Sequence, residues 1–189
     1  MSESAARDSG YTVESYFGLV GSGLLEPEDH VELLEGLIVA SPPQGPLHAS
    51  VTMAVDQAVR SAVGTYASVR NQLPLIAGER SAPEPDLAVV PGTPADYRDA
   101  HPTSALLVIE IADSSLPQER LTKSRIYARC GVPEYWIVNI RDRCVEVHRS
   151  PDPATRTYRA VMRFDDGDEI ELAAVEGAKV SVSDLFPGY

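Results

Sequence analysis

Three residues set the chemistry open to this chain: Asp86 directly after Pro85, Glu110 inside the apolar run 105–111, and Lys123 on the segment that follows. A carboxylate among Leu106, Leu107, Val108 and Ile109 is costly to bury unless a cation or a hydrogen-bond donor meets it. Glu110 therefore demands a partner, and an arginine from the following helix is the purely structural way to supply one. Asp86 opens the run 87–90, whose beginning is marked by Pro83 and Pro85, residues that cannot donate ladder hydrogen bonds. If 87–90 and 105–111 pair antiparallel, the start of one lies beside the end of the other, and both carboxylates reach one rim of the sheet. Two such neighbours repel unless something positive sits between them. Lys123 follows Glu119 by one helical turn; by residue type alone that pair is a surface salt bridge worth about 0.2–0.5 kcal/mol, but a helix leaving the rim can direct its ammonium back toward the acids. Two acids and an amine at one rim suit magnesium-assisted phosphodiester hydrolysis, the amine offsetting charge that develops on the scissile phosphate.

The elements around these residues follow from periodicity. Residues 11–25 read as a short helix, and 31–39 as a hairpin turning at Glu35-Gly36, where glycine is free to take positive φ. Ser41-Pro42-Pro43 ends the hairpin. From 47 to 63, Val51, Val55, Ala58, Val59, Ala62 and Val63 recur at helical spacing between Pro46 and Gly64, the pattern of an amphipathic helix covering one sheet face. A strand interrupted at Pro74 is expected over 69–76, and a turn-rich linker over 91–103. The run 105–111 reads as a central strand buried on both faces. A helix over 116–129, ending at Gly131, then leads to a buried strand at 135–138, making 105–138 a βαβ unit with a right-handed crossover. Residues 144–149 and 158–164 alternate as an antiparallel extension should, joined by a turn at Pro151-Asp152-Pro153, and 165–168 form a further turn. That acidic turn lacks the spacing of a calcium loop. Residues 180–185 close the domain.

The chain has 189 residues, 43% of them hydrophobic, which fits one domain with its own core and a frayed stretch at 1–10. Cys130 and Cys144 stand in no metal-binding spacing, and no charged-then-apolar leader opens the chain, so a reduced, cytoplasmic protein is expected. No apolar run approaches the roughly 20 residues of a membrane helix. The net charge of −12 speaks against a simple nucleic-acid binder. Residues 114–163, however, hold ten Lys/Arg against five Asp/Glu, a basic region with either a phosphate-binding or an ordinary solvated reading. His48, on the first turn of the long helix, has a substrate-contacting and a capping reading; Tyr127 and Trp136 read as core. A serine hydrolase built from Ser114 or Ser115 with His101 lacks a GxSxG elbow.

Pro85-Asp86, Glu110 and a downstream lysine resemble the PD-(D/E)xK nuclease superfamily. The wider string resembles the Uma-two family of proposed restriction endonucleases: 31–36 (VELLEG), Ser41-Pro42-Pro43 with His48, 85–90 (PDLAVV), 108–113 (VIEIAD), and Lys123 through Tyr127 to 131–138 (GVPEYWIV). The likeness spans roughly residues 30–150. It implies a restriction-endonuclease-like α/β core, a mixed central sheet flanked by helices with an antiparallel extension. Asp86, Glu110 and the backbone carbonyl of Ile111 would hold Mg²⁺ or Mn²⁺. Glu35 would be a further acid near the metal, and Glu119 would orient Lys123 or water. DNA would be the substrate and a homodimer the working form. In the superfamily pattern the lysine stands two places after the second acid, where this chain has Ala112, and Lys123 looks like its migrated replacement. The competing reading is an interaction protein that keeps the nuclease fold without turnover.

Overall fold

A capped helix and a tight hairpin precede the sheet. The computed structural model describes residues 10–41, 43–113, 115–186 and 188, so most of the stretch expected to fray, together with Pro42 and Ser114, lies outside the described residues. Helix α1 (Val13–Gly21) starts at Thr12, whose hydroxyl accepts from the Ser15 N–H while Ser15 Oγ accepts from the Thr12 N–H. Strands β1 (Val31–Leu34) and β2 (Leu37–Ala40) form the expected hairpin. Glu35 and Gly36 both take positive φ, 49° and 85°, as a two-residue turn matched to strand twist requires. Tyr16 and Leu33 pack with Ala82 to fix α1 and the hairpin to the rest of the chain.

Helix α2 (Pro46–Val63) carries Val51, Val55, Val59 and Val63 on one buried stripe. Each fully buried valine stabilises by roughly 1.5–3 kcal/mol. The stripe covers one face of a six-stranded sheet ordered β3-β4-β5-β6-β7-β8, formed by Ser68–Asn71 (β3), Leu87–Val90 (β4), Leu107–Ala112 (β5), Glu134–Asn139 (β6), Cys144–Asp152 (β7) and Thr157–Phe164 (β8). Only β5 and β6 are parallel, joined by the helical crossover; the other neighbours in this sheet are antiparallel. This is the mixed α/β architecture with an antiparallel extension that the sequence implies.

The crossover is not one regular helix. It consists of an α-turn, α3 (Leu116–Gln118), a π-helical turn at Glu119–Lys123, and α4 (Ser124–Arg129), which buries Ile126, Tyr127 and Ala128 against the second sheet face. Three further boundaries differ from expectation. The strand expected over 69–76 stops at Asn71, because Gln72 turns to φ 49° and gives its N–H to the Pro85 carbonyl. The turn placed at Pro151-Asp152-Pro153 begins later: Pro151 and Asp152 pair in β7, and Asp152 Oδ1 accepts from the N–H groups of Ala154 and Thr155. Glu169–Glu171 (β9) pairs with Lys179–Ser181 (β10), a small ribbon whose first strand is too short to show periodicity. Among the described residues no helix is long and apolar enough to cross a membrane.

Candidate active site

Strand register brings the two acids together. In the β4/β5 pair Leu87 stands opposite Ile109, so one step outward Asp86 stands opposite Glu110. Leu87, Ile109 and Ile111 point toward α2, whereas Ala88 and Val108 point toward α4. Alternation then sends Asp86 and Glu110 to the α4 side, at the rim where β4 begins and β5 ends. Asp86 Oδ2 accepts the Ile111 N–H at 2.8 Å, and Oδ1 accepts from the side-chain amides of Gln44 and Gln72 at 3.2 and 3.5 Å. His48, from the first turn of α2, places Nε2 2.9 Å from the Ile111 carbonyl oxygen and 3.6 Å from Asp86 Oδ2.

Lys123 reaches the same cleft from the π-turn. Its Nζ lies 3.0 Å from Glu110 Oε1, 3.4 Å from Glu32 Oε1 and 4.0 Å from Glu119 Oε2. Tyr127 is a fully buried core residue, as its sequence context implies, and its hydroxyl donates to Glu110 Oε1 at 2.7 Å. Within the π-turn the Ser124 N–H bonds back to the Glu119 carbonyl, five residues earlier, and Glu119 and Lys123, four residues apart, are both buried while Leu121 is exposed.

Glu32 is the acid that sequence reasoning missed. It lies on β1 at 3% exposure, its Oε2 held by the Glu84 N–H at 3.0 Å. The hairpin acid expected near the metal, Glu35, is instead bound through both oxygens by the Arg125 guanidinium and does not line the cleft. Glu35 sits in the turn, where its αL backbone carries the side chain out to Arg125, whose proximity lowers its pKa. The reasoning applied to Glu110, an acid inside an apolar run, would have found Glu32 between Val31 and Leu33. His101 stacks on Phe17 and does not line the cleft that Ser115 lines, so Ser115 and His101 do not share that site, while Ser114 lies outside the described residues.

The cleft, about 740 Å³, is lined by six carboxylates, Glu32, Glu84, Asp86, Glu110, Asp113 and Glu119, against one ammonium. The consequences appear in the proton affinities. Burial, only partly offset by Lys123 and reinforced by Glu119, Asp86 and Glu32, raises the Glu110 carboxyl well above its usual range. Burial likewise pushes Glu119 up to about 7 and raises Glu84. Lys123 stays an ammonium, because Glu110, Glu119 and Glu32 outweigh the burial that would lower it. For His48, burial pulls down but Asp86 and the Ile111 carbonyl pull up more strongly, and the net shift is upward. Glu119 Oε2 is buried without a hydrogen-bond partner. Uncompensated negative charge and an orphaned carboxylate oxygen are what a divalent cation relieves, so the residues present fit one. Among the described residues no three His, Cys, Asp or Glu side chains already converge at metal-binding separation.

A crystal structure titled as a "putative nuclease belonging to DUF820" from Anabaena variabilis superposes with a TM-score of 0.73 at 21% identity, over 93% of this chain and 97% of that one, and shows a shared fold. The type IIG restriction endonuclease BpuSI gives a TM-score of 0.42 at 12% identity, over 74% of this chain and 15% of that one, too slight a likeness to bear on the argument. Among curated proteins none matches the chain. In sequence, the profile of the Uma2 family, described as "Putative restriction endonuclease", matches residues 13–183. With a match over nearly its whole length, the chain belongs to the Uma2 family.

Proposed function

We propose that this protein is a divalent-metal-dependent endonuclease that hydrolyses DNA phosphodiester bonds. The observation that carries the reading is the placement of Asp86 opposite Glu110 on β4 and β5, with Lys123 Nζ 3.0 Å from Glu110. Asp86, Glu110 and the Ile111 carbonyl would hold Mg²⁺ or Mn²⁺, which when bound supplies Lewis acidity toward the phosphodiester and toward water. Lys123 offers positive charge to the phosphoryl oxygens as negative charge builds on them. Glu32 on β1, with Oε1 3.4 Å from Nζ, positions that amine. Glu119, with its carboxyl pushed up to about 7 and Oε2 without a hydrogen-bond partner, would orient the attacking water and accept its proton. Gln44 and Gln72 hold the Asp86 carboxylate in its rotamer. Two copies would present one cleft to each strand of a duplex; light scattering showing only monomer under cleavage conditions would exclude that arrangement.

The test is cleavage of plasmid DNA in Mg²⁺ or Mn²⁺ by the wild type, Asp86→Ala and Glu110→Ala. Each variant is expected to lose about 10²–10³-fold or more, the scale of removing one group that stabilises transition-state charge. Equal activity in all three removes both assignments. A second reading, a nuclease-fold interaction protein, draws support from the cleft's excess of acids and the absence of any arginine among its lining residues. Failure of Mn²⁺ to bind in a calorimetric titration would favour that reading.

A further inference from the structure

We propose that strand β2 is the surface through which two copies of this chain associate, pairing antiparallel across a two-fold axis at Val39 so that the two hairpins become one continuous sheet. This goes beyond the reading above in naming where the copies meet. It stands on backbone hydrogen-bonding groups and not on the chemistry of the cleft, so the two can fail separately.

The hairpin has one closed edge and one open edge. On β1 the outward carbonyls are taken: Leu33 O accepts the Ala82 N–H at 2.8 Å, and Val31 O accepts the Tyr16 hydroxyl at 2.8 Å. On β2 the Ser41 N–H bonds to the His30 carbonyl at 2.7 Å, and alternation then turns the backbone groups of Val39 and Leu37 toward β1 and those of Ile38 and Ala40 outward. Among the described residues no partner meets the Ile38 or Ala40 N–H or carbonyl. Burial follows the same asymmetry. Glu32, Leu33 and Leu34 are buried on β1, whereas on β2 Leu37 is 65% exposed and Ile38 and Val39 are half-buried. Other strand edges are guarded: the Arg60 guanidinium covers the Val69 carbonyl of β3, and β8 carries Arg159 and Arg163. The sequence of β2, Leu-Ile-Val-Ala, has no charge, and an unguarded apolar edge is a template for another strand.

The free groups fix both the register and the partner. With the axis at Val39, Ile38 of one copy stands opposite Ala40 of the second, the two exchange both hydrogen bonds, and symmetry repeats the pair, so every outward group is used. An axis at Ile38 would set Ala40 against Gly36, whose N–H and carbonyl are already committed to the Arg80 carbonyl and the Tyr11 N–H. An axis at Ala40 would set Ile38 against Pro42, which has no N–H to give. Charge is self-complementary in the same arrangement. Arg125 binds Glu35 at the turn end, with Arg156 and Arg129 near enough to act on that carboxyl, whereas the exposed Glu26, Glu28 and Asp29 precede His30 at the open end. Antiparallel pairing lays the basic end of one hairpin beside the acidic end of the other. A second copy thus matches the edge at both ends, which an arbitrary apolar peptide does not. Ala40 and Ser41 also line the cleft, so the interface adjoins each copy's cleft.

The experiment is sedimentation velocity of the full chain over a concentration series, together with disulfide capture of introduced cysteines. The wild type is expected to pass from monomer to dimer below about 100 μM. Ala40→Pro removes an outward donor from each copy and leaves the β1 ladder intact, so the dissociation constant is expected to rise at least about tenfold. Val39→Cys is expected to oxidise to a covalent dimer, because residues facing each other in a non-hydrogen-bonded antiparallel pair stand about 4.5 Å apart at Cα, within disulfide reach. Leu37→Cys is expected not to link to itself but to link to Ser41→Cys in a mixture, and the wild type, with Cys130 and Cys144, supplies the blank. A chain that stays monomeric up to that concentration, a dimer that Ala40→Pro leaves unaltered, or Leu37→Cys that self-links as fast as Val39→Cys overturns the interface. Should Ala40→Pro fail to fold, as far-UV circular dichroism would show, the comparison of cysteine variants decides alone. Neither readout uses metal or DNA: a monomer that still cleaves plasmid DNA removes this interface alone, and an inactive dimer that links at Val39 upholds it while removing the endonuclease reading.

Discussion

Two buried glutamates differ in how fully their charge is met. Glu134 is satisfied by the Arg149 guanidinium at 2.9 Å, the Trp136 indole N–H at 2.6 Å and the Ala173 N–H at 2.6 Å. Glu110 shares its one ammonium with Glu32 and Glu119, and its proton affinity rises in consequence. Replacing that ammonium should therefore be expensive: Lys123→Met is expected to destabilise the cation-free protein by about 3–5 kcal/mol, read as a fall in the urea midpoint at constant m. Glu32→Gln is expected to lower cleavage about 10–100-fold while leaving the fold intact, as loss of an outer-sphere partner does; unchanged rates would remove Glu32 from the site. A separate acid-sensitive residue lies on β7. His148 is buried between the rings of Tyr135 and Tyr158, with Nε2 lacking a hydrogen-bond partner. Burial, aided by Arg120 and opposed by Glu146, lowers its pKa. The unfolded chain takes up this proton near the ordinary value of about 6.5 and the folded chain only at lower pH, so folding stability falls as pH drops below about 6.5. His148→Leu should gain on the wild type in melting temperature as pH falls from 7 to 5. Legibility at this scale was uneven for a physical reason: burial cost marks Glu110 and Glu32 alike, but only the fold reveals which acids share a cation, and Glu35 was read as a metal-side acid for want of sight of Arg125.

At the scale of elements, two turns shape the cleft, the π-turn of the crossover and the turn between β1 and β2. The π-turn brings Glu119 and Lys123 inward together. Periodicity gives the helix over 116–129 but not this turn, since one extra residue in a helical turn leaves the apolar pattern of Ile126 and Tyr127 intact. Deleting exposed Leu121 should restore regular α-geometry and shorten the spacing of Glu119 and Lys123 from four residues to three; the expected outcome is loss of cleavage with α4 packing retained, read by far-UV circular dichroism beside the assay. The hairpin that carries Glu32 turns on Gly36, whose φ of 85° and close approach to the Arg80 guanidinium leave no room for a Cβ. Gly36→Ala is expected to cost about 1 kcal/mol or more and to lower activity through displacement of Glu32. That turn, the α2 stripe and the pairing of 87–90 with 105–111 were all readable, because local chemistry and period specify them. The end of β3 before Gln72 was not, because it answers to a long-range hydrogen bond that the Gln72 N–H donates to the Pro85 carbonyl.

For the whole molecule the question is how an acidic chain would meet a polyanion. Of the ten basic residues between 114 and 163, at least seven, Arg120, Lys123, Arg125, Arg141, Arg149, Arg159 and Arg163, have a carboxylate within 4.0 Å. The basic region seen in the sequence is thus largely compensated internally, which composition cannot disclose. DNA binding should accordingly show a log-log salt slope of about −3 or shallower, since each neutralised phosphate contributes about −0.9; a slope near −10 would mean that these ion pairs open on binding. The fold supplies its own gauge for these measurements. Trp136, the single tryptophan, is fully buried on β6 among the α2-side core residues, on the sheet face away from Glu110. Its fluorescence emission should be blue-shifted in the native chain and move to longer wavelength only when the sheet itself comes apart, so one optical channel separates damage confined to the cleft from loss of the scaffold.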